Sequence, residues 1–430
     1  MIQKILDLHA HSKYSRACSK DLELPKIAKA CEIRGIDIVV TSDFTHPKWF
    51  DHMKSELILD TEGVYKLKNH ESKTRFIIGT EIASIKKHND QTRRVHLLIF
   101  SPSLEVTEKF NQALEDRGYN IRSDGRPIIG LTSKQILELM LEVDPRMKMI
   151  PAHAWTPWFG VFGSKGGYTS LDEAFEDLSP YIRAIETGLS SDPLMNWRWS
   201  HLDNITLVSN SDAHSLQKLG REANVLQFNS ESEITYTEIM RIIEEGDKKK
   251  FLHTIEFYPE EGKYHYDGHR DCTFYCAPEE TKKRKGICPV CGKNLTIGVE
   301  YRVHELADRT SDEAKNYALR TKRIPFKSLV PLPEIIADVY DMGVSSKKVM
   351  TEYETLITHL GTEFHILIDA TLEEIQKTTN ETIARAIGRV RSGNIYIRPG
   401  YDGEFGIVKV FEEHESRGLS SQVPLELGVE

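Results

Sequence analysis

Short apolar runs, each followed by polar residues, recur along the first half of the chain and have the length of β-strands. Seven such runs occur, at 5–8, 36–40, 76–80, 94–100, 149–152, 182–185 and 205–208. Helix-like stretches lie between most of them, at 24–34, 133–143 and 170–178. Strands that alternate with helices predict parallel βα units, so the pattern favours an α/β fold. Closed into a barrel, such units would bring the residues that follow each strand together at one end.

A residue that could bind a metal, or an acidic residue, lies in or just beyond each run. These residues are His9, His11, Asp43, His46, Glu81, His96, His153, Glu186, Asp212 and His214. His9 and His11 would point to the same side of an extended strand, because alternate residues of a strand share a face. One His-x-His pair among 17 histidines is weak evidence, but recurrence in seven runs is not. Neutral imidazole suits zinc and its first-row neighbours, so the pattern predicts a metal site.

The sequence resembles the polymerase-and-histidinol-phosphatase (PHP) superfamily of metal-dependent phosphoesterases. The matching motifs are Asp7–Ser12, Gly79–Glu81, His96, His153 and Asp212–His214. The resemblance implies a distorted (β/α)7 barrel, which agrees with the seven apolar runs. It also implies two or three Zn²⁺ ions in the barrel, with Mg²⁺ or Mn²⁺ as alternative activating metals.

The resemblance further implies how these metals are held. One metal would be bound by His9, His11, Glu81 and Asp212, and a second by Glu81, His96 and His153, with Glu81 as the bridge. Glu81, Asp212 and His214 would be catalytic, and His214 would hold a third metal with residues of the second motif. That motif departs from the superfamily pattern, because Asp43 is followed by Phe44 and the histidine comes only at position 46. Asp43 and His46 are therefore additional ligand candidates.

A segment rich in aromatic residues, glycine and lysine follows His153, at 155–168. Its Trp155, Trp158 and Phe159 could stack on nucleobases at the mouth of the metal site. A hydrophobic lid folded onto the barrel accounts for the same composition equally well. Asp192, after the sixth run, is either a helix cap or an acid that supports the metal ligands.

Two closely spaced cysteine pairs lie downstream. They are Cys272 with Cys276 and Cys288 with Cys291, and a four-thiolate set of this kind predicts one structural Zn²⁺. The surrounding window 263–327 holds 14 Lys and Arg against 9 Asp and Glu, in a chain of net charge −9. The candidate DNA-backbone contacts in it are Lys282, Lys283, Arg284, Lys285, Arg320, Lys322 and Arg323. The alternative for such a lysine run is a solvated loop tip.

The 430 residues predict several domains. We expect a barrel at 1–255, a zinc-binding basic region at 262–330, a small α+β segment at 331–415 and a flexible tail at 416–430. The α+β segment should contain a strand at 363–368 and a helix opened by a Thr371–Glu374 capping box. No apolar stretch approaches the roughly 18 residues of a membrane span, and the N-terminus lacks a signal-peptide pattern. These features predict a cytoplasmic, nucleoid-associated protein without a membrane partner.

Nearly the full length of the chain resembles the endonuclease Q family. The additional matching segments are Gly268–Arg270, the cysteine pairs, Arg302–Arg309 and Pro399–Gly406. This resemblance implies cleavage of DNA on the 5′ side of deaminated bases (uracil, hypoxanthine, xanthine) and abasic sites, leaving a 3′-hydroxyl and a 5′-phosphate. The partner would be damaged duplex or single-stranded DNA, together with unidentified repair proteins. Two alternatives are a phosphomonoesterase of the histidinol-phosphatase type and a nucleic-acid-binding scaffold with an idle barrel.

Overall fold

The structure is a computed structural model in which residues 1–412 are described. Its strands are β1 (Ile2–Asp7), β2 (Ile38–Val40), β3 (Leu57–Thr61), β4 (Val64–Leu67), β5 (Arg75–His88), β6 (Gln91–Ser101), β7 (Ile128–Ile129), β8 (Lys148–Pro151), β9 (Ala184–Glu186), β10 (Thr206–Val208), β11 (Ala223–Phe228), β12 (Phe251–Glu256), β13 (Asp267–His269), β14 (Phe274–Cys276), β15 (Phe326–Ser328), β16 (Tyr396–Arg398) and β17 (Ile407–Lys409). Its α-helices are α1 (Leu24–Arg34), α2 (Pro47–Glu56), α3 (Leu104–Asp116), α4 (Ser133–Val143), α5 (Leu171–Phe175), α6 (Pro193–Trp197), α7 (Tyr236–Glu245), α8 (Pro278–Lys283), α9 (Val299–Leu306), α10 (Ser311–Thr321), α11 (Leu332–Tyr340), α12 (Lys347–Leu360), α13 (Glu363–Ile368), α14 (Leu372–Thr378) and α15 (Glu381–Arg391).

The alternation of strands and helices confirms the α/β class. β1 is parallel to β2 and antiparallel to β11, and β2 is parallel to β5. β9 and β10 form a separate parallel pair. Within residues 1–412 no ladder joins β8 to β9, and a single bridge from Ala10 to Ala213 links the segments that follow β1 and β10. The strand pairing therefore does not confirm the closed barrel expected from the sequence.

One strand runs against the expected βα alternation. β6, the run at 94–100, is antiparallel to β5 over eleven residue pairs because a two-residue turn joins them directly. Asn89 and Asp90 form this turn with φ of 50° and 60°. A positive φ at both residues is typical of a type I′ hairpin turn, whose twist suits two antiparallel strands. The hairpin places His96 across from Ala83, two residues beyond Glu81.

The polar residues predicted to converge come from several strands and from the segments that follow them. His9 and His11 follow β1, Asp43 follows β2, and Glu186 is the last residue of β9. The strands also supply buried apolar side chains, among them Leu6, Val39, Phe76, Ile150, Ile185 and Val208.

The predicted helices of the first half are present. α1 and α4 have the predicted bounds, and α4 is opened by a Thr132–Gln135 capping box. The stretch 170–178 forms a shorter helix, α5, whose N-cap is Ser170, and continues as a 3₁₀ turn from Glu176. Each of these helices buries apolar residues, as expected of amphipathic helices.

Two compact units make up the chain. The first consists of 1–329 and 398–407, and the second of 330–397 with the residues from 408 onward. The finer division of the first unit at 255–262 stays a prediction. No helix in the described residues has both the length and the apolar composition needed to cross a membrane. The predicted tail at 416–430 lies outside the described residues.

The second unit is mainly helical, from α11 to α15, and includes the residues of β16 before 398 and those of β17 after 407. The strand expected at 363–368 is wrong, because this segment is helix α13. Thr362 caps it, and the buried Glu363 side chain accepts hydrogen bonds from the backbone of Leu332 and from Tyr353. The predicted Thr371–Glu374 capping box is confirmed at the start of α14.

Candidate metal centre

Two groups of metal-capable side chains lie next to each other, on the strands β5 and β6 and in the segments that follow β1, β8 and β10. The first group is His9, His11 and Asp212, and the second is Glu81, His96 and His153. In the first, Asp212 Oδ1 lies 3.1 Å from His11 Nε2 and 3.5 Å from His9 Nε2. In the second, Glu81 Oε1 lies 2.7 Å from His96 Nδ1 and 3.1 Å from His153 Nε2.

Glu81 faces both groups. Its Oε1 lies 3.7 Å from His9 Nε2, and its Oε2 lies 3.4 Å from His11 Nε2. This is the position that a bridging carboxylate between two metals requires. Six of the predicted metal ligands are thus brought together, although their separation in sequence reaches about 200 residues.

The chemistry of these donors fits divalent metal ions. His9 Nε2 is buried and forms no hydrogen bond within the described residues, although it points toward two carboxylates. A buried polar atom without a partner is costly unless a ligand satisfies it. Imidazole nitrogens and carboxylate oxygens at such spacing are the ligand types that zinc and neighbouring metals accept.

Glu186, to which sequence reasoning gave no role, fixes the orientation of His9. Both of its carboxylate oxygens lie within 3.1 Å of His9 Nδ1. Glu186 also accepts hydrogen bonds from the backbone N–H of His153 at 2.7 Å and from Asn210 at 2.8 Å. A proton on His9 Nδ1 directed at Glu186 leaves Nε2 unprotonated and available to a metal. The signal in the sequence was an acidic residue ending an apolar run.

Asp43 plays the corresponding structural part for His11. Its Oδ1 lies 3.2 Å from His11 Nδ1, the nitrogen on the side away from Asp212. Its Oδ2 accepts hydrogen bonds from the Ser12 backbone at 2.7 Å and from Ser15 Oγ at 2.8 Å. Asp43 belongs to neither group of metal-capable side chains, so its geometry is that of an orienting acid.

The electrostatics of the centre favour ionised carboxylates. Burial alone would raise the pKa of Glu81, but His96, His9 and His153 outweigh it and lower the pKa well below its usual value. Burial lowers the pKa of His96 to about 4 against the attraction of Glu81. For His9, burial is outweighed by Glu186, Asp212 and Glu81, which raise its pKa well above 6.5. Metal binding at His9 must therefore displace a proton.

The residues predicted for a third metal do not form a third group within the described residues. His214 lies at the rim, about a third exposed, with Nδ1 3.6 Å from Asp212 Oδ1 and its ring 4.6 Å from that of His11. His46 stacks on Tyr14 at 4.4 Å. A third metal stays a prediction.

The aromatic segment after His153 is partly a buried lid and partly an exposed surface. Trp155 is fully buried, and its indole N–H donates to Asn196 at 2.8 Å, so the expectation that it contacts a base is wrong. Phe159 packs on His96 at a centroid distance of 4.3 Å, with a φ of 70°. Trp158 is 43% exposed, and its ring centroid lies 5.5 Å from that of Tyr264. Most of the segment is therefore a buried lid, and Trp158 is an exposed residue on its surface.

Asp192 is a helix cap. Its side chain accepts a hydrogen bond from the backbone of Met195 at 2.7 Å, at the start of α6. This confirms the first of the two alternatives for that residue.

The cysteine cluster has a different fourth member from the one predicted. Cys272, Cys288 and Cys291 converge with His269, not with Cys276. β13 and β14 are antiparallel, with His269 beside the turn and Cys276 at the far end, opposite Asp267. Cys276 Sγ instead contacts Thr281 Oγ1 at 3.2 Å. Three cysteines and one histidine are a common structural zinc set.

The basic candidates differ in how freely they face solvent. Lys282, Lys283 and Lys285 are exposed at the end of α8, and Arg284 pairs with Glu280 at 2.6 Å. Arg320 and Lys322 are exposed at the end of α10. Arg323 is 14% exposed and pairs with Asp203 at 3.0 Å, which removes it from the set of free contacts.

Comparisons with known proteins give a consistent result. Residues 331–394 match the family model described as the MJ0043 C-terminal domain. A crystal structure of the lesion-specific endonuclease PfuEndoQ from Pyrococcus furiosus is 32% identical, with a TM-score of 0.83 and 96% of each chain covered. A structure of endonuclease Q with a 27-mer duplex that has an abasic lesion at the active site is also 32% identical. Its TM-score is 0.80, and 96% of this chain and 98% of that chain are covered.

Two curated relatives are similar as well. The Bacillus subtilis protein YqxK is 29% identical over 407 residues, which are 91% of this chain and 93% of YqxK. The Methanocaldococcus jannaschii protein MJ0043 is 31% identical over 258 residues, which are 59% of this chain. The chain spans only 31% of MJ0043.

Proposed function

Because this chain belongs to the endonuclease Q family, we propose that it is a metal-dependent DNA endonuclease. Its proposed substrates are DNA strands with a deaminated base (uracil, hypoxanthine or xanthine) or an abasic site. The bond hydrolysed is the phosphodiester on the 5′ side of the lesion, and the products carry a 3′-hydroxyl and a 5′-phosphate.

The observation that carries the proposal is the position of Glu81 between two groups of buried histidine and aspartate side chains. His9, His11, Asp212 and Glu81 would hold one divalent ion, and Glu81, His96 and His153 a second. Bound there, the ions would supply Lewis-acid activation of a water molecule and neutralise the charge that develops on the phosphate. Two-metal centres of this kind serve in-line displacement at phosphorus.

The side chains of the protein prepare this chemistry before substrate arrives. Glu186 and Asp43 bind Nδ1 of His9 and His11 and fix the orientation of each ring, so that Nε2 is directed at the metal positions. The ligands other than Asp212 are almost completely buried, which keeps bulk water away from them and strengthens their electrostatic effect. Asp212 and His214 are the more accessible members and lie on the side from which DNA would enter.

Recognition of a lesion requires the damaged nucleotide to leave the base stack. Trp158, exposed beside the segment that covers His96, is suited to stack on a base. The exposed Lys282, Lys283, Lys285, Arg320 and Lys322 would contact phosphates without reading the sequence. A Zn²⁺ held by His269 and the three cysteines would stabilise the region that carries the first of these patches.

Metal-dependent nicking of defined duplexes tests the proposal. Duplexes that contain uracil, hypoxanthine, xanthine or an abasic site should be cut, whereas an undamaged duplex and a metal-free reaction should not. Glu81→Ala should abolish cutting, and the control Glu71→Ala, at an exposed site, should not. Turnover of small phosphate monoesters with no nicking would indicate the phosphomonoesterase alternative. Binding without any turnover would indicate the scaffold alternative.

A further inference from the structure

Arg126 is a charged side chain at the metal centre that belongs to none of the sequence motifs. It lies between α3 and β7, in a charged, glycine-containing segment. Its Nη1 donates a hydrogen bond to Glu81 Oε2 at 3.0 Å. The Arg126 side chain is 23% exposed, whereas that of Glu81 is 1% exposed. The guanidinium therefore separates the bridging carboxylate from solvent.

The backbone around Arg126 is held tightly against the wall of the centre. Gly125 N–H donates to Tyr14 O at 3.0 Å, and Thr45 Oγ1 donates to Gly125 O at 3.2 Å. A Cβ at position 125 would collide with the side chains of Asp43 and Ser15, so only glycine allows this close approach. These contacts fix the backbone next to Arg126.

The hydrogen bonds within the described residues use only part of the Arg126 side chain. Nη1 binds Glu81, while Nε and Nη2 have no partner that the described chain supplies, and neither is a fully buried atom. A guanidinium has five N–H donors in a planar fork that matches carboxylate and phosphate oxygens. One edge of the fork is therefore directed at Glu81, and the other is available at the opening of the site.

The charge of Arg126 is unfavourable for metal binding alone. A guanidinium stays protonated in proteins, so Arg126 is a cation beside Glu81. A cation in contact with a carboxylate that holds divalent ions repels those ions. An anion that binds to the metals and to the guanidinium together would relieve this repulsion.

We propose that Arg126 is a substrate-binding residue whose guanidinium donates to a non-bridging oxygen of the scissile phosphodiester while it remains bonded to Glu81. This inference rests on the proposed function, since the anion it names is the phosphate that the metal centre would hydrolyse. Arginine suits this task better than lysine because its fork can bind the carboxylate and the phosphate at once.

A binding cycle tests the proposal without requiring turnover. Full-length, metal-loaded protein with Asp212→Ala, a change expected to prevent cutting, would bind duplexes with an abasic site. One duplex has a normal scissile phosphate, and the other has an uncharged methylphosphonate at that position. Arg126→Ala should weaken binding of the phosphate duplex about 10-fold, the effect of one charge-assisted hydrogen bond, and change binding of the methylphosphonate duplex less than twofold. Arg126→Lys should restore part of the loss.

The matched control is Arg117→Ala, at an exposed arginine of the same segment that pairs with Glu142, and it should affect both duplexes equally. Equal weakening of both duplexes by Arg126→Ala would overturn the proposal. So would a loss of bound metal with unchanged DNA affinity, because Arg126 would then serve Glu81 alone. Absence of nicking by the unmodified chain would count against the proposed function, while the cycle would still decide the role of Arg126.

Discussion

Glu186 holds His9 by its Nδ1 atom with both carboxylate oxygens, at 3.0 and 3.1 Å, from a strand 177 residues away in sequence. The same carboxylate binds the backbone N–H of His153, which has a φ of 29°. One buried group thus positions a ligand from each of the two groups of the metal centre. Asp43, the other orienting acid among the described residues, contacts a histidine of the first group only.

Glu186→Gln should lower metal affinity about 10- to 100-fold, the usual cost of losing an acid that orients a metal-ligating histidine. The amide keeps the shape of the side chain but places an N–H near His9 or near the backbone N–H of His153. Titration of metal-free protein with Zn²⁺ or Mn²⁺ would measure the change. Glu222→Gln is the matched control, because Glu222 is equally buried and makes no contact with these histidines. Equal metal affinities for the two variants would contradict the role given to Glu186.

Asp212→Ala should reduce cleavage by about 1,000-fold or more while DNA binding changes little. The reduction corresponds to about 4 kcal/mol of the transition-state stabilisation that a metal centre supplies. The basic side chains that would hold DNA are unaffected by the substitution. Single-turnover nicking and a binding titration on the same duplex would separate the two effects. Near-normal nicking would remove Asp212 from the active centre.

His269→Ser and Cys276→Ser should have opposite outcomes. His269 belongs to the group with Cys272, Cys288 and Cys291, so its replacement should release about one zinc per chain and destabilise the surrounding segment. Cys276 contacts Thr281, so its replacement should leave the zinc content unchanged. Metal analysis of the purified variants would check this. Zinc released from Cys276→Ser and retained by His269→Ser would restore the four-cysteine set expected from the sequence.

The zinc set shows why spacing predicted the site but not every ligand. Two cysteine pairs identify a tetrahedral site, but the turn between β13 and β14, with Thr273 at a φ of 51°, decides which side chains reach it. His269 lies beside that turn, and Cys276 does not. A lone histidine three residues before a cysteine is not a pattern that sequence reasoning distinguishes from chance.

The same limit applies to the metal centre and the fold. His9, His11 and Glu81 were predictable because a period of two and the ends of apolar runs are local features. The contacts of Glu186 and Arg126 join residues from distant strands and loops, so nothing local signals them. The segment 363–368 was misread because four apolar residues among six fit a short strand as well as a short helix. Only the Thr362 cap and the packing of that unit decide between them.

A buried carboxyl away from the metals should make stability fall as pH rises. Burial and the nearby Asp192 raise the pKa of Glu256 to about 8, against the lowering effect of a hydrogen bond from Thr254. A folded-state pKa above the ordinary value of 4.5 means that the folded state binds the proton more tightly than the unfolded state does. The stabilisation is therefore complete below about pH 4.5 and is lost as pH rises toward 8, by up to about 1.4 kcal/mol per pH unit.

Glu256→Gln should flatten this dependence, because the amide cannot ionise. Tm measured between pH 5 and pH 9 should fall less in the variant than in the unmodified chain. Glu71→Gln, at an exposed position, should follow the unmodified profile. Parallel profiles for Glu256→Gln and the unmodified chain would mean that Glu256 does not hold a proton in the folded state.

The basic patch at the end of α8 and the exposed Trp158 should affect DNA binding in different ways. Neutralising Lys282, Lys283 and Lys285 together should weaken binding of damaged and undamaged duplexes alike, because phosphate contacts carry no information about the base. The slope of log affinity against log salt should become shallower by roughly 0.9 for each phosphate that the variant no longer neutralises.

Trp158→Ala should instead reduce the preference for the lesion and leave the salt slope unchanged, since stacking releases no counterions. Salt titrations of both variants on matched duplexes would measure the two quantities. An unchanged slope in the triple variant would mean that this lysine run is a solvated tip, and the DNA path would then have to follow the exposed Arg320 and Lys322 at the end of α10.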